Sequence, residues 1–413
     1  MMKITNKRIV IIGAGPAGLA AAIALYERGE RDIVMLEREA APGGILRQCI
    51  HDGFGLTRFG ESLSGPEYAE RFIEKAKQLN IEIITNATVI ELNEDKTVTA
   101  ATPNGLLVFK AQAVILSMGC RERTRGALAI PGRRPAGVYT AGVAQAYINL
   151  KNTMVGKEAV ILGSGDIGMI MARRLTLEGA KVKGVYEIQS YPSGLPRNVE
   201  QCLNDYGIPL YLSHTVTKIN GEKRLESIVV SEVDDKMRPI EGTEQEITCD
   251  TLILSVGLIP ENELTRMAGA EIDPLTSGAV VDERLQTSVP GVFAAGNVLH
   301  VHDLVDFVSL EAEGLADAVI ESLNGTLENA EIPVTGDGVI QLIPQRITGK
   351  KDVTFALRPR RPGRNGMLKV MQGEQVLAKK KLPKALPAEM EQITVKADKF
   401  VSSEPVKVVL SFE

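Results

Sequence analysis

The apolar residues at the start of the chain fall into two short runs on either side of an alanine-rich segment. A strand, a glycine turn, a helix and a second strand are predicted at residues 8–12, 13–18 (GAGPAG), 19–28 and 33–36. Pro16 suits a first helical turn, where its missing N–H costs nothing, and Gly29 suits a helix C-terminus. The second strand ends at Glu37.

The same order of elements recurs later in the chain. A strand, a glycine turn, a helix and a strand are predicted at residues 159–162, 163–168 (GSGDIG), 169–178 and 181–186. Gly13 and Glu37 are 24 residues apart, and so are Gly163 and Glu187. A single G-x-G-x-x-G often arises by chance. Two copies, each between a strand and a helix and each followed by an acid at the same offset, predict two nucleotide-binding units.

Each residue type in these motifs has a physical task. The first glycine permits the tight turn, the second lets the main chain approach a pyrophosphate, and the third lets helix and strand pack closely. The phosphates then lie at the positive N-terminus of the helix, and the acid accepts hydrogen bonds from a ribose. The candidate residues are Gly13, Gly15, Pro16, Ala17, Gly18, Glu37 and Arg38 in the first copy, and Gly163, Gly165, Asp166, Ile167, Gly168 and Glu187 in the second. The alternative is a nucleotide-free α/β domain with glycine-rich turns.

Further apolar runs complete the pattern. Residues 114–116 and 252–254 predict strands followed by Gly119 and Gly257, where the chain leaves each sheet. Residues 289–297 (VPGVFAAGN) predict a strand that opens onto Gly296 and Asn297, before a helix over about 306–323. After residue 329, short strand-like runs with Pro and Gly turns predict a small β-sandwich or barrel.

Together these residues resemble the two-dinucleotide-binding-domain flavoproteins of the pyridine nucleotide-disulfide oxidoreductase superfamily, over residues 8 to about 325. The resemblance implies FAD at the first motif, with Gly43, Gly44, Gly119 and Gly296 also at the flavin, and NAD(P)H at the second motif and Gly257. Asn297 stands where the family usually has Asp. Residues 43–55, 119–142 and 296–306 are similar to the α subunits of sarcosine oxidase and opine dehydrogenase, and to flavoproteins encoded beside anaerobic-type glycerol-3-phosphate dehydrogenases.

The expected fold class is α/β, with two Rossmann-like three-layer dinucleotide-binding domains and a small C-terminal all-β, sandwich-like domain. We expect residues 1–120 and 265–330 to form a discontinuous FAD-binding domain, residues 121–264 an inserted NAD(H)-binding domain, and residues 335–413 the β domain. NADH is the expected nucleotide, because Glu187 would repel a 2′-phosphate and the following Ile188-Gln189-Ser190 offers no cationic clamp.

The four cysteines set this chain apart from the disulfide reductases of that superfamily. Cys49, Cys120, Cys202 and Cys249 form no C-x-x-C, so a dithiol relay from flavin to substrate is not expected. Cys49 follows Gly43 and Gly44, and it is either a reactive thiol at the flavin or a packing residue. The other three are interpreted as structural.

Histidines are concentrated in the segments expected at the flavin. There are four in the chain, and His51, His300 and His302 fall in these segments. His51 and His302 are candidates for proton transfer, with Cys49 as a third catalytic candidate; the alternative is a set of loop histidines that support FAD through hydrogen bonds. No ligand pair has the spacing of a zinc site, so no metal is expected.

Charge is distributed unevenly along the chain. The whole chain carries a net charge of −5, yet residues 345–384 hold twelve Lys or Arg and two acids. The interpretations are a solvated strand face, a docking surface for an acidic protein, an anionic membrane surface or, least supported, nucleic acid, since Phe355 is the only aromatic residue there. A docking surface would make the β domain removable, from about residue 335, without loss of FAD binding.

No apolar stretch approaches the ~20 residues of a membrane span, and the early glycine turn leaves no room for a signal peptide, so the expected location is the cytoplasm. The predicted function is hydride transfer between NADH and FAD, with electrons passed to or from a partner protein or a small acceptor and without a redox disulfide. Such a partner could be a dehydrogenase subunit or a small cysteine-rich protein. The alternative is a flavoprotein subunit with a vestigial NAD fold that docks a catalytic dehydrogenase.

Overall fold

The computed structural model describes residues 4–401 and 403–412, which form 27 strands and nine α-helices. The strands are β1 Ile4–Ile12, β2 Ile33–Leu36, β3 Asp52–Phe54, β4 Leu63–Ser64, β5 Glu82–Ile84, β6 Thr88–Leu92, β7 Thr97–Thr102, β8 Gly105–Leu116, β9 Cys120–Glu122, β10 Val138–Thr140, β11 Glu158–Leu162, β12 Lys181–Glu187, β13 Leu210–Leu212, β14 His214–Asn220, β15 Ser227–Glu232, β16 Gln245–Thr248, β17 Thr251–Leu254, β18 Leu258–Pro260, β19 Val292–Ala294, β20 Ile332–Asp337, β21 Val339–Ile343, β22 Arg346–Ile347, β23 Val353–Pro359, β24 Gly363–Gln372, β25 Gln375–Ala385, β26 Glu391–Val395 and β27 Val406–Phe412. The helices are α1 Pro16–Glu27, α2 Gly65–Gln78, α3 Arg125–Leu128, α4 Ala141–Lys151, α5 Asp166–Leu177, α6 Pro196–Cys202, α7 Glu263–Met267, α8 Val305–Gly314 and α9 Ala316–Leu323.

The chain divides into two compact units. The first contains the residues up to Cys120 and those from Pro260 onward, and the second is Arg121–Ile259. The predicted insertion, residues 121–264, nearly coincides with the second unit. The C-terminal strands belong to the first unit.

The first glycine turn lies at the centre of the largest sheet. Its order is β5-β2-β1-β8-β7-β6, with β19 beside the C-terminal part of β8. β5, β2, β1, β8 and β19 are parallel, whereas β7 and β6 join antiparallel. Because β1 has neighbours on both sides and packing on both faces, its last four residues are buried, which explains their continuous apolar run. The turn after β1 therefore opens at the carboxyl edge of the parallel strands, where such folds bind ligands.

Helix α1 covers the sheet beside this turn. It is built of small and aliphatic residues and is buried without a break from Ala17 to Leu25. Small side chains let the helix approach the strands closely, and α2, α8 and α9 share the same core. A second core on the opposite face contains residues of β6, β7 and β8.

The second unit repeats the arrangement. Its sheet, in the order β10-β17-β11-β12-β13, is parallel throughout. One face packs against α4 and α5, and the antiparallel strands β14, β15 and β16 cover the other. Ile161 faces the helices and Val160 faces the small sheet, because neighbouring residues of a strand point to opposite faces.

The C-terminal strands form the predicted all-β domain. One sheet has the order β22-β20-β27-β24-β25 and the other β21-β23-β26, and their apolar faces bury a common core. This region is joined to the rest of the first unit by packing as well as by the chain. Ile343, at the end of β21, is 4% exposed in a core with Val281 and Leu299. Deletion from about residue 335, expected to leave FAD binding largely intact, would also remove Ile343 from this core.

Among the described residues, no helix is both long enough and apolar enough to cross a membrane.

Candidate functional site

The first glycine turn is closed on one side and open on the other. Gly13 has φ +103°, and a Cβ built on it would lie 2.5 Å from Ser117 O. A Cβ on Gly18 would lie 2.0 Å from Gly13 O, so α1 can pack onto the turn only because residue 18 is glycine. Around Gly15 the nearest atom to such a Cβ is 3.9 Å away, in Gly44. The main chain at Gly15, the residue before α1, is thus free to approach a ligand.

Glu37 is tied directly to this turn. Its side chain is buried at 5% exposure, and Oε2 accepts a hydrogen bond from Ala14 N at 2.8 Å. Oε1 accepts one from Glu39 N at 2.9 Å. A carboxylate has about four acceptor positions, so two of them are left for ribose hydroxyls. Arg38 points away into solvent and lies 3.8 Å from Glu39.

Two other predicted segments come together at the same turn. Gly43, with φ +112°, donates its N–H to Ala14 O at 2.8 Å, and Gly44 lies against Gly15. A Cβ built on Gly296 would lie 2.9 Å from that of Ala17. Glycines from three distant parts of the sequence therefore lie around the same turn. Gly119 follows β8 in the left-handed region, with φ +73°.

The second glycine turn repeats the first in detail. Gly163 has φ +95°, and a Cβ there would lie 2.1 Å from Ser255 O, as Gly13 approaches Ser117. Gly168 packs on Gly163 O and Ser255, and Gly165 is again the more open position. Gly257 has φ +99° and accepts a main-chain hydrogen bond from Arg123.

Glu187 differs from Glu37 in having one crowded oxygen. It is 4% exposed, and its Oε2 accepts hydrogen bonds from Ser164 N at 2.9 Å, Ser164 Oγ at 2.6 Å and Ser193 Oγ at 2.9 Å. Oε1 accepts one from Gln189 N at 3.0 Å. The three donors fill Oε2, so Oε1 alone keeps an acceptor position for a ribose hydroxyl. Ser164 and Ser193 were not predicted as site residues, although Ser164 lies within the motif.

The segment after β12 is also tied to the start of α5. Asp166 Oδ1 accepts hydrogen bonds from Leu195 N at 2.8 Å and from Asn198 Nδ2 at 2.6 Å. Gly194 lies so close that a Cβ on it would be 2.9 Å from Asp166 N. Ile167, beside Asp166, packs at the edge of the helix-side core.

Two histidines of the predicted flavin loop meet a carboxylate that the sequence did not indicate. Glu311, on α8, accepts hydrogen bonds from His300 Nε2 at 2.7 Å and, through Oε1, from Gly296 N at 2.8 Å. His302 Nε2 lies 3.3 Å from the same Oε2. His302 Nδ1 faces His300 O at 3.1 Å and Asn297 Oδ1 at 3.3 Å. Glu311 thus links the Gly296 turn to both imidazoles, and we call His300, His302 and Glu311 the histidine triad.

Burial and charge act in opposite directions within the triad. Burial lowers the pKa of His300, and the neighbouring His302 lowers it further, although Glu311 pulls the other way. Burial also opposes ionisation of Glu311, but the two imidazoles and their hydrogen bonds outweigh it and hold the pKa of Glu311 below its usual range. The carboxylate is therefore ionised at neutral pH.

The spacing of the triad suits hydrogen bonds better than a metal ion. Its ligand atoms lie within 4.8 Å of one another. His300 Nε2 and Glu311 Oε2 are 2.7 Å apart, a hydrogen-bond distance. Two ligands each ~2.0 to 2.2 Å from a tetrahedral zinc would be more than about 3 Å apart. The contact must open before an ion can enter.

The other two catalytic candidates have different surroundings. His51 is half-buried, and its ring lies 5.0 Å from that of Phe54. Cys49 is 9% exposed, its thiol donates to Ile45 O at 3.4 Å, and burial raises its pKa to about 12. Because a reactive cysteine needs its thiolate form, this environment supports the packing alternative for Cys49.

Asn297 connects the triad to the start of β9. Its Oδ1 accepts a hydrogen bond from His302 N at 3.0 Å, and its Nδ2 lies 3.7 Å from Cys120 Sγ. The neutral amide supplies both a donor and an acceptor here. An aspartate at this position would place a second carboxylate beside the triad.

The first unit fits a dinucleotide. Gly15 leaves room for a pyrophosphate at the N-terminus of α1, Glu37 has two acceptor positions for a ribose, and Gly43, Gly44 and Gly296 line the same edge. The second unit has the same turn, with a carboxylate that keeps one acceptor position.

Comparison with known proteins identifies the family of the chain. The profile of the family described as "Pyridine nucleotide-disulphide oxidoreductase" matches residues 7–319. A thioredoxin reductase of Listeria innocua is 29% identical over 333 residues, which is 78% of this chain and 96% of the relative. One component of the opine oxidase of Agrobacterium tumefaciens is 26% identical over 313 residues, which is 70% of this chain and 60% of the relative.

Solved structures agree at the level of fold. The crystal structure of T. acidophilum thioredoxin reductase has a TM-score of 0.63 and 23% identity, and the match covers 78% of this chain and 99% of that one. The Lactococcus lactis thioredoxin reductase has a TM-score of 0.62, 22% identity, and coverage of 77% and 99%. The family match ends at residue 319 and leaves the C-terminal strands outside it.

Proposed function

The chain belongs to the pyridine nucleotide-disulphide oxidoreductase family, and on that basis we propose that it moves a hydride between NADH and bound FAD and passes the electrons to or from a second protein or a small acceptor. Its relatives are oxidoreductases, so the chain is an FAD-dependent pyridine-nucleotide oxidoreductase. The direction of transfer, the nucleotide and the acceptor are parts of the proposal.

One observation carries the proposal. In both units, a buried acid 24 residues after the first glycine accepts a hydrogen bond from the residue that follows that glycine, Ala14 in one case and Ser164 in the other. The same contact, built twice, supports one dinucleotide in each unit. Two such sites in one chain are what hydride exchange between two cofactors requires.

The residues of the chain hold the cofactor and exclude water. Gly13, Gly15 and Gly18 with the start of α1 would hold the FAD pyrophosphate, Glu37 the adenosine ribose, and Asn297 the flavin side. When bound, FAD supplies the hydride and electron chemistry. His302, whose ring is fixed by Glu311 and the His300 carbonyl oxygen, is our first candidate for moving a proton on the flavin side, and His51 is the second candidate.

We propose NADH in preference to NADPH because of the charge at the second site. The buried Glu187 carboxylate would repel a 2′-phosphate, and residues 188–190 contain no Lys or Arg. Arg197, on α6, is the first cation after this segment in sequence.

The cysteines support electron transfer without a redox disulfide. All four are free, and three are buried. Burial raises the pKa of Cys202 and raises that of Cys249 to about 12. Electrons must therefore leave the flavin directly for the acceptor.

The basic C-terminal strands support an acidic protein as that acceptor. Lys369 lies opposite Lys379 in the β24–β25 register, and Arg364 lies opposite Lys384. Like charges directly across a pair of strands repel each other. Seven cations of residues 345–384 have no ion pair within 4.0 Å among the described residues: Arg360, Arg361, Arg364, Lys369, Lys379, Lys381 and Lys384. An acidic partner would relieve this repulsion.

A second candidate function is favoured by the crowded Oε2 of Glu187. If Ser164 and Ser193 keep their hydrogen bonds, Glu187 offers a ribose one acceptor position, whereas Glu37 offers two. The chain would then be a flavoprotein subunit with a vestigial NAD fold that docks a catalytic dehydrogenase.

Anaerobic titration of the purified flavoprotein with NADH and with NADPH distinguishes hydride transfer from the docking function. Our proposal expects rapid bleaching of the flavin absorbance by NADH and slower bleaching by NADPH. A flavin that neither nucleotide reduces would contradict hydride transfer and support the docking function.

A further inference from the structure

The C-terminal domain contributes a buried arginine to the loop that carries the histidine triad. Arg358, near the end of β23, is 8% exposed. Its Nε donates to Gln341 Oε1 at 3.1 Å, and its Nη1 donates to Pro387 O at 2.9 Å and Ala388 O at 2.6 Å. Its Nη2 donates to Val301 O at 3.1 Å, within the triad loop. The planar guanidinium therefore joins two parts of the β domain to the peptide between His300 and His302.

A second contact holds the same loop from the same side. Asp303 Oδ2 accepts a hydrogen bond from Met390 N at 3.2 Å. Met390 lies in the connection between β25 and β26, as do Pro387 and Ala388. Residues 301 and 303 are thus both held by the β domain, and His302 lies between them.

The contacts continue from this loop to the first glycine turn. His300 and His302 reach Glu311, Glu311 accepts the N–H of Gly296, and Gly296 lies against Ala17 in α1. Every step is a hydrogen bond, an ion pair or a van der Waals contact between described residues.

From this geometry we propose that Arg358 is a positioning residue for the flavin site. It fixes the peptide at Val301 and so holds the histidine triad and the Gly296 turn in the arrangement that binds FAD. The inference rests on the proposed function only in that the first unit binds FAD. It gives the C-terminal domain, which lies beyond the family match, a part in forming the cofactor site.

Other contacts also hold the β domain in place. The effect of Arg358 on the triad loop can therefore be separated from its effect on attachment of the domain. Thr348 donates its N–H and its hydroxyl to Glu283 Oε1 at 2.9 and 2.5 Å, and Gln345 exchanges hydrogen bonds with Val281. These contacts do not involve the triad loop. Thr348→Val is thus a control that weakens attachment of the domain without touching residues 300–303.

The experiment compares full-length Arg358→Met, Arg358→Lys, Thr348→Val and Arg360→Met. The first measurement is the FAD dissociation constant. The second is the amide hydrogen exchange of residues 299–306, both with FAD bound and in the apoprotein. Arg358→Met is expected to raise the dissociation constant about tenfold or more and to speed exchange in that segment, because hydrogen bonds to buried carbonyls are lost. Arg358→Lys should give a smaller change, since it keeps the charge but not the planar fork. Thr348→Val should lower the unfolding midpoint only, and the exposed Arg360→Met should match the wild type.

Wild-type affinity and exchange in Arg358→Met would overturn the inference. So would an equal loss of affinity in Thr348→Val, because Arg358 would then act only by attaching the domain. If the wild type binds no FAD, the proposed function fails, and hydrogen exchange in the apoprotein still decides whether Arg358 orders the loop.

Discussion

Glu37 accepts a hydrogen bond from the main-chain N–H of Ala14 at 2.8 Å, and so connects the end of β2 to the glycine turn after β1. The acid has a structural task before any ligand arrives, since it satisfies a buried donor in the turn. Its two remaining acceptor positions can serve a ribose. Loss of this carboxylate should therefore affect both the shape of the turn and the affinity for the nucleotide.

We predict that Glu37→Ala weakens FAD binding by roughly 1 to 3 kcal/mol, about 5- to 150-fold, because it leaves the Ala14 N–H unpaired and removes the ribose acceptors. The measurement is the FAD dissociation constant of the reconstituted apoprotein. The exposed neighbour Glu39→Ala is the matched control and should bind FAD normally. Release of FMN from the denatured wild type would contradict the assignment of this site to a dinucleotide.

The sequence was most informative where a single local pattern dictates geometry. Gly13, Gly18, Gly163 and Gly168 occupy positions where a Cβ would clash with main-chain or side-chain atoms, so only glycine fits, and the pattern is visible in one dimension. Ser117 and Ser255 each lie against the first glycine of a turn. They stand in two similar strings of the sequence, VILSMG and LILSVG.

The remainder of the site depends on contacts that sequence spacing does not reveal. Glu311 lies in a helix beside Glu313, and nothing in the sequence says which of them turns inward to the histidines. Arg358 was counted only as part of a basic stretch, yet it is buried among carbonyl oxygens, unlike exposed Lys379. Both cases are set by tertiary packing between segments far apart in the chain.

The hydrogen bond from Ser193 to Glu187 predicts how tightly the second site binds NADH. Ser193→Ala removes one of the three donors on Glu187 Oε2 and so frees space beside the carboxylate for a ribose hydroxyl. The KM for NADH, measured by flavin reduction under anaerobic conditions, should fall, while NADPH should remain the poorer substrate because the carboxylate is still present. Faster reduction by NADPH than by NADH in the wild type would contradict the assigned preference.

The triad predicts loss of stability in acid. The pKa values of His300 and Glu311 are both lowered in the folded state, so the unfolded chain binds more protons and stability rises with pH. This contribution is lost as pH falls below about 6.5 for His300 and about 4.5 for Glu311. Glu311→Gln should abolish the loss of stability below about pH 4.5 that Glu311 causes, and should lower stability at pH 7 by about 1 to 3 kcal/mol by weakening contacts to Gly296 and His300. The loss of stability below about pH 6.5 should not shrink, because Glu311 raises the pKa of His300 and its removal lowers that pKa further. Urea unfolding of the apoprotein between about pH 3 and 7 measures both effects; the same slope below pH 4.5 in wild type and variant would refute the assignment.

The raised pKa of Asp282 predicts that stability falls, and does not rise, with increasing pH. Burial raises its pKa to about 6, against hydrogen bonds from the main chain of Gln286 and Arg284 that lower it. The native state therefore holds a proton that the unfolded chain has lost, and stability falls as pH rises from about 4 to 6. Asp282→Asn, whose amide oxygen can keep both hydrogen bonds, should be more stable than wild type by about 3 kcal/mol at pH 7 and equal to it near pH 4. The exposed Asp235→Asn should show no such difference. A gain that is constant over this pH range would rule out titration of Asp282 as its cause.

The basic strands predict electrostatic control of electron transfer to the partner. Lys379 and Lys381 are exposed on β25, and Lys379 lies opposite Lys369. Removal of the whole domain is a poor test, because Ile343 and Arg358 tie it to the rest of the first unit. The double variant Lys379→Glu/Lys381→Glu changes the charge without removing the fold. Attraction between exposed charges acts mainly on the encounter rate and is screened over about 8 Å at physiological ionic strength.

We therefore expect the double variant to slow electron transfer to an acidic, co-encoded protein about tenfold or more at low salt, and to lose most of the salt dependence seen in the wild type. Stopped-flow reoxidation of the reduced flavin by that protein, over a range of ionic strength, is the measurement. Reduction by NADH should be unchanged, since neither lysine belongs to a nucleotide site. Lys75→Glu/Lys77→Glu on α2 makes the same change in charge elsewhere in the first unit and should leave the rate near that of the wild type. Equal slowing by both double variants would show that net charge, and not the β25 surface, governs the encounter.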